Sequence, residues 1–528
     1  MKRVRGFLAC VLLAGGLAAQ PAAPPASNPC PAGARFGDPA AGPSWNGWGV
    51  DASNARFQPE KAAQLTAAQV PKLKLKWAFG FPGVRSVLGA PVVAAGRVFL
   101  GVDTGVVDSL DLATGCVYWS FQADAGVRSA ITIERADAMR TAAFFGDLKA
   151  NSYAVDAATG QLLWKVHVDD HPSARITGAP KVWNGRVYVP VASGEEGAGV
   201  NPKYPCCTFR GSVVALDTAT GREVWKTYTI ADAAQRAGQN SDGVPRFAPA
   251  GGGVWNSPTL DEKRRALYVG TGDAYTEPAP KTTDALMALD LDSGKVLWAV
   301  QDTANDAWLV GCTGASVPPN RRPENCPKQL GPDHDFGASP ILKALPNGST
   351  ILVAGQKSGN VWAHDPDRKG AVVWRTALVN NTTEFGGKIV WGGAADEQAA
   401  YFGLGPGGIA AIQLRDGEPR WFHPLAPAPA LAVHPGHDGA LTAIAGVIFS
   451  GGWDGVLRAL ATSDGSLVWE YNTVEDFKTV NGVAAKGGSI SVSGPTVAGG
   501  MLLVGSGYVG VRNGMAGNVL LAFSVDLR

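Results

Sequence analysis

The stretch "YPCCTFRG" places Cys206 beside Cys207, and neighbouring cysteines rarely serve packing alone. Joined to each other they would close a rigid ring with a flat, apolar profile; joined elsewhere they would form two separate bridges. Of the seven cysteines, Cys10 lies in an apolar run from Gly6 to Ala19 that follows Lys2, Arg3 and Arg5. That pattern is a cleaved secretory leader over residues 1–22, too short in its apolar part to span a bilayer. It has no Arg-Arg pair, so the general export route is expected, with a periplasmic or secreted product. The six remaining cysteines are an even number in an oxidising compartment. Cys312–Cys326 would staple a Pro- and Asn-rich loop, Cys30–Cys116 would pin the N-terminal arm, and Cys206–Cys207 would remain. Fifteen connectivities are open to six cysteines, and this is one of them. No Cys-x-x-Cys or Cys/His cluster offers a zinc site, and no Cys-x-x-Cys-His run offers covalent attachment of haem.

The elements that must position such a pair are set by composition and repetition. With 528 residues, 17% charged and net charge +1, the chain has neither a basic face for nucleic acid nor an acidic tail. No segment after the leader is long and apolar enough for a membrane span. Gly 68, Pro 36 and Trp 16 suit many short strands and turns. The pattern Ala-x-Asp-x-x-Thr/Ser-Gly-x-x-x-Trp recurs in "LDLATGCVYW", "VDAATGQLLW", "LDTATGREVW" and "LDLDSGKVLW", with degraded copies ending at Trp374, Trp421 and Trp469. Each copy reads as a strand, a tight turn with glycine at positive φ, and an outer strand closing on tryptophan. Many copies follow a Gly-x-Val-Tyr/Phe strand, so one unit holds four strands, which spells a β-propeller blade.

Closing tryptophans Trp119, Trp164, Trp225, Trp298, Trp374, Trp421 and Trp469 mark seven blades. Trp77 stands near the start with no turn before it, and "GNVLLAFSVD" near the end has a strand but no tryptophan. An all-β, eight-bladed propeller over residues 23–528 is therefore expected, its last blade shared by both termini so that no sheet edge is left free. A solenoid would leave those two half-repeats unexplained. The intervals between Trp164 and Trp374 are the longest, so extra loops concentrate on consecutive blades, where sites are usually built.

The Ala-x-Asp-x-x-Thr-Gly-x-x-x-Trp repeat resembles the tryptophan-docking motif of the dehydrogenases that use pyrroloquinoline quinone (PQQ). Within that family the chain most resembles the polyvinyl alcohol dehydrogenases, through "WNGWGVDASNARFQ", "YPCCTFRG", "GGGVWNSPTLD", "LYVGTGDAYTEP", "NDAWLVGC" and "DFKTVNGVAAKGGSI". The resemblance implies that Cys206–Cys207 and Trp255 flank the two faces of a planar quinone. It implies that Arg128, Thr177 and Ser193 hold the carboxylates of the cofactor, and that Lys357 sits at the quinone oxygens as a binding and catalytic cation. Calcium, which prefers hard oxygen ligands, would be held by Glu196 (with Glu195 as its near alternative), Asp273 and Asp306. Asp306 would also be the catalytic base, because Leu309 follows Trp308 where relatives carry the aspartate.

The activity implied is oxidation of secondary alcohol groups, in a polymeric or small alcohol and foremost polyvinyl alcohol. Electrons would pass to a separate cytochrome c. The alternatives implied by the same repeats are a quinoprotein for another alcohol and a cofactor-free scaffold of the outer-membrane assembly type.

Overall fold

A computed structural model of the chain describes residues 28–33, 35–312, 324–378, 388–425, 436–510 and 514–527; the expected leader lies outside them. Eight blades, each with four antiparallel strands, make up the fold; in seven of them each strand pairs with the next in sequence, and Phe57–Gln58 adds a short parallel strand to the seventh. The third blade, for example, runs Lys181–Trp183, Arg186–Ser193, Ser212–Asp217 and Glu223–Tyr228, with Ala174–Arg175 added beside the end of its second strand. The eighth combines Thr496–Ala498, Met501–Ser506 and Val519–Ser524 with Lys74–Gly80 from near the other end of the chain. Trp77 there faces Ala522, and Phe79 faces Leu520. Both halves of the last blade thus come from where the half-repeats predicted.

Each repeat is built from a local device and a contact between blades. In the turn, the aspartate accepts from the backbone N–H and the hydroxyl of the Thr or Ser three residues on. The distances are 2.9 and 2.7 Å at Asp111–Thr114 and at Asp217–Thr220, and 2.8 and 2.6 Å at Asp290–Ser293. The next glycine adopts φ between 70° and 77° at Gly115, Gly160, Gly221, Gly294, Gly370, Gly417 and Gly465. This is a left-handed conformation that side chains disfavour. The same glycines lie against the tryptophan of the preceding blade, and a Cβ on any of them would come within 2.5–3.1 Å of that ring. The indole N–H then bonds to a carbonyl of the following blade: Trp77 to Leu112, Trp119 to Ala157, Trp164 to Thr218, Trp225 to Leu291, Trp374 to Leu414 and Trp421 to Thr462, at 2.8–3.3 Å.

The apolar strand faces pack between neighbouring blades in clusters. One joins Phe144 and Trp164 to Val189 and Val214, and another joins Trp77 and Phe79 to Leu503 and Leu520. The three disulfides Cys30–Cys116, Cys206–Cys207 and Cys312–Cys326 are formed.

Because the glycine contact is steric as well as conformational, Gly221→Ala is expected to destabilise the protein by about 2–4 kcal/mol, the combined cost of strain and overpacking. Gly42→Ala, at a position with open space around it, is expected to be near neutral. Chemical denaturation of the two variants checks this, and equal midpoints would show that the dock is not what holds the blades together.

Candidate functional site

In an antiparallel blade the entry into the first strand and the exit from the second open on the same end. Residues from those positions in consecutive blades therefore meet at one mouth of the ring. One cavity there is lined by Arg128, Arg175, Thr177, Ser193, Glu196, Trp255, Asp273, Tyr275, Asp335, Lys357 and Trp391, together with small neighbours. Arg128 precedes the second blade, Arg175 and Thr177 the third, Trp255 the fourth, Asp335 the fifth and Trp391 the sixth. Ser193 ends a second strand, and Asp273 and Lys357 follow second strands. Seven residues expected from sequence thus share one cavity: Arg128, Thr177, Ser193, Glu196, Trp255, Asp273 and Lys357.

The cavity has a cationic side and an acidic side. On the cationic side, Nε of Arg128 and Nε of Arg175 are buried without a hydrogen-bond partner among the described residues. The Arg128 guanidinium lies 4.3 Å from the Trp391 ring centroid, a cation–π contact. Trp391 meets Trp255 edge-to-face at 5.3 Å, and the Trp255 ring occupies the space a side chain at Gly337 would need. Thr177 donates its hydroxyl to the Trp255 carbonyl at 3.3 Å.

On the acidic side, Lys357 Nζ donates to Asp333 at 2.6 Å and to Asp335 at 2.8 Å, and lies 5.2 Å over Trp255. Lys388 takes the second oxygen of Asp333 at 2.6 Å. The other oxygen of Asp335 accepts the Asp273 backbone N–H at 2.6 Å. Burial works against the Lys357 charge, but Asp333, Asp335 and Glu196 outweigh it and hold its pKa well above the ordinary value. The Asp333 carboxyl stays below the usual range despite burial, because two ammonium groups face it.

The two remaining carboxylates have no such partner. Burial pushes Glu196 up to about 8, with Lys357 opposing and Asp335 and Asp333 reinforcing the rise. Asp273 is pushed well above its usual range by burial and by Asp335 and Glu196, and its Oδ2 has no hydrogen-bond partner among the described residues. Unpaired buried acids of this kind raise the energy of the ionised state, and a cation or a proton relieves it.

Three expected residues stand elsewhere. Asp306 does not line the cavity: its two oxygens accept the backbone N–H groups of Asp333 at 3.1 Å and His334 at 2.7 Å. Its carboxyl therefore ties down the segment that carries Asp333 and Asp335. Glu196, Asp273 and Asp306 do not come together as a three-carboxylate cluster, and among the described residues no group of three His, Cys, Asp or Glu side chains is placed to hold a metal ion. Cys206 and Cys207 are buried in an apolar cluster with Tyr275, Leu309, Cys312 and Cys326, behind the lining rather than in it.

Glu195, the near alternative to Glu196, is fully occupied. It accepts from Tyr204, from the backbone N–H of Thr208 and from that of Phe209 at 2.8–2.9 Å, which fastens the cysteine segment to the short helix Glu195–Ala198. The residues that sequence reasoning passed over are Arg175, Tyr275, Asp333, Asp335, Lys388 and Trp391. Arg175, Asp335 and Trp391 all lie within six residues ahead of a blade's first strand, as do Arg128, Thr177 and Trp255. Aligning those entry segments would have exposed them.

For an anionic, planar, aromatic group the cavity supplies unpartnered guanidinium nitrogens and flat indole walls, so its residues fit PQQ. For a hard cation it supplies two carboxylates of the three expected. No helix among the described residues is long and apolar enough to cross a membrane.

A family model described as the β-propeller domain of glucose/ethanol/alcohol dehydrogenase, PQQ, matches residues 45–310. One described as outer membrane protein assembly factor BamB matches residues 207–434 and 407–526. The chain is 42% identical over 505 residues to a polyvinylalcohol dehydrogenase of Pseudomonas sp, covering 91% of this chain and 77% of that one. It is 39% identical over 510 residues to the polyvinylalcohol dehydrogenase of Sphingopyxis sp. (strain 113P3), covering 91% and 76%. In fold it is similar to the quinohemoprotein alcohol dehydrogenase from Comamonas testosteroni, with a TM-score of 0.66, 19% identity and coverage of 92% and 80%. BamB from Moraxella catarrhalis gives 0.52 at 16% identity over 86% and 99%, so the scaffold shares the architecture. Identity over nearly the whole length points elsewhere: the chain belongs to the polyvinyl alcohol dehydrogenase family of PQQ-type alcohol dehydrogenases.

Proposed function

We propose that the protein oxidises secondary alcohol groups with PQQ, foremost those of polyvinyl alcohol, outside the cytoplasm, and delivers the electrons to a separate cytochrome c. The observation that carries this reading is the division of one cavity into guanidinium Nε atoms and a carboxylate oxygen that have no hydrogen-bond partner among the described residues, with two indoles between them. A scaffold needs no such buried charges, because each costs stability when left unpaired.

PQQ, when bound, accepts the hydride equivalent lost by the alcohol carbon. Arg128, Thr177 and Ser193 would hold its acidic groups, and Trp255 would cover its ring. Lys357 would present its ammonium to a quinone oxygen; its two aspartate partners fix its position and keep it charged. Glu196 and Asp273 are the groups that would hold calcium. Within reach of the cavity the proton acceptor is Asp273 through Oδ2, the carboxylate oxygen that lines it without a hydrogen-bond partner among the described residues. Asp306 acts behind it, by fixing the 333–335 segment whose Asp335 receives the Asp273 amide.

Purified protein given PQQ and calcium is expected to reduce an artificial dye with polyvinyl alcohol as donor, and neither PQQ nor alcohol alone should suffice. Failure to bind PQQ would end the reading. Glu196→Gln should weaken calcium-dependent activation, shifting the half-saturating calcium concentration upward.

Asp273→Asn is expected to lower kcat by about 100-fold or more while PQQ still binds, the usual scale for losing a general base. Asp306→Asn should instead cost about 1–3 kcal/mol of stability, the penalty for leaving a buried amide short of its acceptor. If Asp306→Asn abolished turnover with stability and PQQ affinity intact, Asp306 rather than Asp273 would be the base.

A further inference from the structure

We infer that Arg175 is a cofactor-binding residue that pairs with Arg128 to clamp one carboxylate-bearing edge of PQQ. The inference rests on the PQQ reading above and adds to it a cationic group that neither the repeat nor the quoted segments indicate. Arg175 is placed by backbone geometry: the two-residue strand Ala174–Arg175 pairs with Ser193 and Ala192 at the exit of the third blade's second strand. Its guanidinium lies over Gly194, and a Cβ at that position would collide with it. Glycine there clears the space, and Arg175 fills it while lining the cavity.

The other cations near the site are already committed. Lys357 is shared between Asp333 and Asp335, and Lys388 is held by Asp333. Arg128 and Arg175 alone among the cavity's cations have buried nitrogen atoms without a partner among the described residues. They also oppose each other: burial lowers the Arg128 pKa, and the Arg175 charge lowers it further, with only Tyr508 acting the other way. Two like charges facing one buried space are stabilised by an anion between them. A guanidinium presents its donors in a fork that matches a carboxylate. The acidic side of the cavity, with Glu196, Asp273 and Asp335, repels an anion, so the orientation of a ligand bearing acids on one edge is set by this pair.

The test is titration of full-length, metal-loaded protein with PQQ, followed by quenching of tryptophan fluorescence, for wild type, Arg175→Gln and Arg175→Lys. The same proteins are titrated with the PQQ trimethyl ester, which lacks the acids. Arg175→Gln is expected to weaken PQQ binding about tenfold or more, the scale of one lost charge-assisted hydrogen bond. Arg175→Lys should recover part of that loss. The ester should bind wild type and Arg175→Gln alike, so the preference for free acid over ester falls by the same factor.

An unchanged preference in either variant would overturn the inference, whatever happened to overall affinity. A change of equal size for acid and ester would assign Arg175 a purely structural role and also overturn it. Should Arg175→Gln not fold, the acid-to-ester ratio of Arg175→Lys decides, and a ratio equal to wild type counts against the clamp. Wild type that binds no PQQ would instead sink the cofactor reading and this inference with it, an outcome separate from the others.

Discussion

The structure depends on a glycine lying flat against a tryptophan. At seven of the eight junctions between blades, a residue without a side chain at positive φ leaves room for the ring of the preceding blade, and the ring's N–H reaches across to a carbonyl in the following blade in six of them. The contact sets the distance between blades, and that distance sets the width of the ring. Side chains projecting from blade entries meet across the mouth only because the ring has that width. The chemistry at the mouth is thus controlled from the rim, by residues that touch neither ligand nor one another's loops.

Inside the mouth the governing constraint is electrostatic. Six acidic groups (Glu196, Asp273, Asp284, Asp306, Asp333 and Asp335) lie within electrostatic reach of one another, against the two ammonium groups of Lys357 and Lys388. Asp333 sits between both lysines, and Asp306 holds the Asp333 and His334 amides, so part of this charge is neutralised by fixed protein partners. Glu196, Asp273 and Asp284, the last with neither oxygen hydrogen-bonded among the described residues, are left with protonation or a bound cation as their remaining means of relief. The arrangement resembles a half-filled salt lattice: the protein completes the outer positions and leaves the inner ones for what binds.

Much of the fold was legible because its determinants are local. The aspartate, the hydroxyl residue, the glycine and the tryptophan of each repeat fall within about ten residues, and their bonds within the turn can be inferred from their spacing alone. Trp77 and Leu520 were legible as two halves of one blade because each lacked what the other supplied. Site residues were legible where they sat in recognisable segments, as with Arg128, Thr177, Trp255 and Lys357. Arg175, Asp335 and Trp391 were not, since their importance comes from which blades face each other across the mouth. Asp306 was misjudged in placement for a related reason: nothing in the sequence near it announces that amides 27 and 28 residues away will fold onto its oxygens. The cysteine pair was expected at the ligand and is found in an apolar cluster that it shares with Tyr275 and the Cys312–Cys326 bridge.

The position of the closing blade has a mechanical corollary. Counting round an eight-membered ring, the fourth blade, which contributes Trp255 and Asp273, stands diametrically across from the eighth, where Lys74–Gly80 zips onto Val519–Ser524. That zipper is the one seam in the ring whose two sides are joined by almost the entire chain rather than by a short connection, so it is where breathing motions begin at the least cost in covalent restraint. Loosening there crosses two intact interfaces in either direction before it reaches Arg128 and Trp391, and four before it reaches Trp255 and Asp273. The weakest hinge of the ring thus lies opposite the blade that carries Trp255 and Asp273.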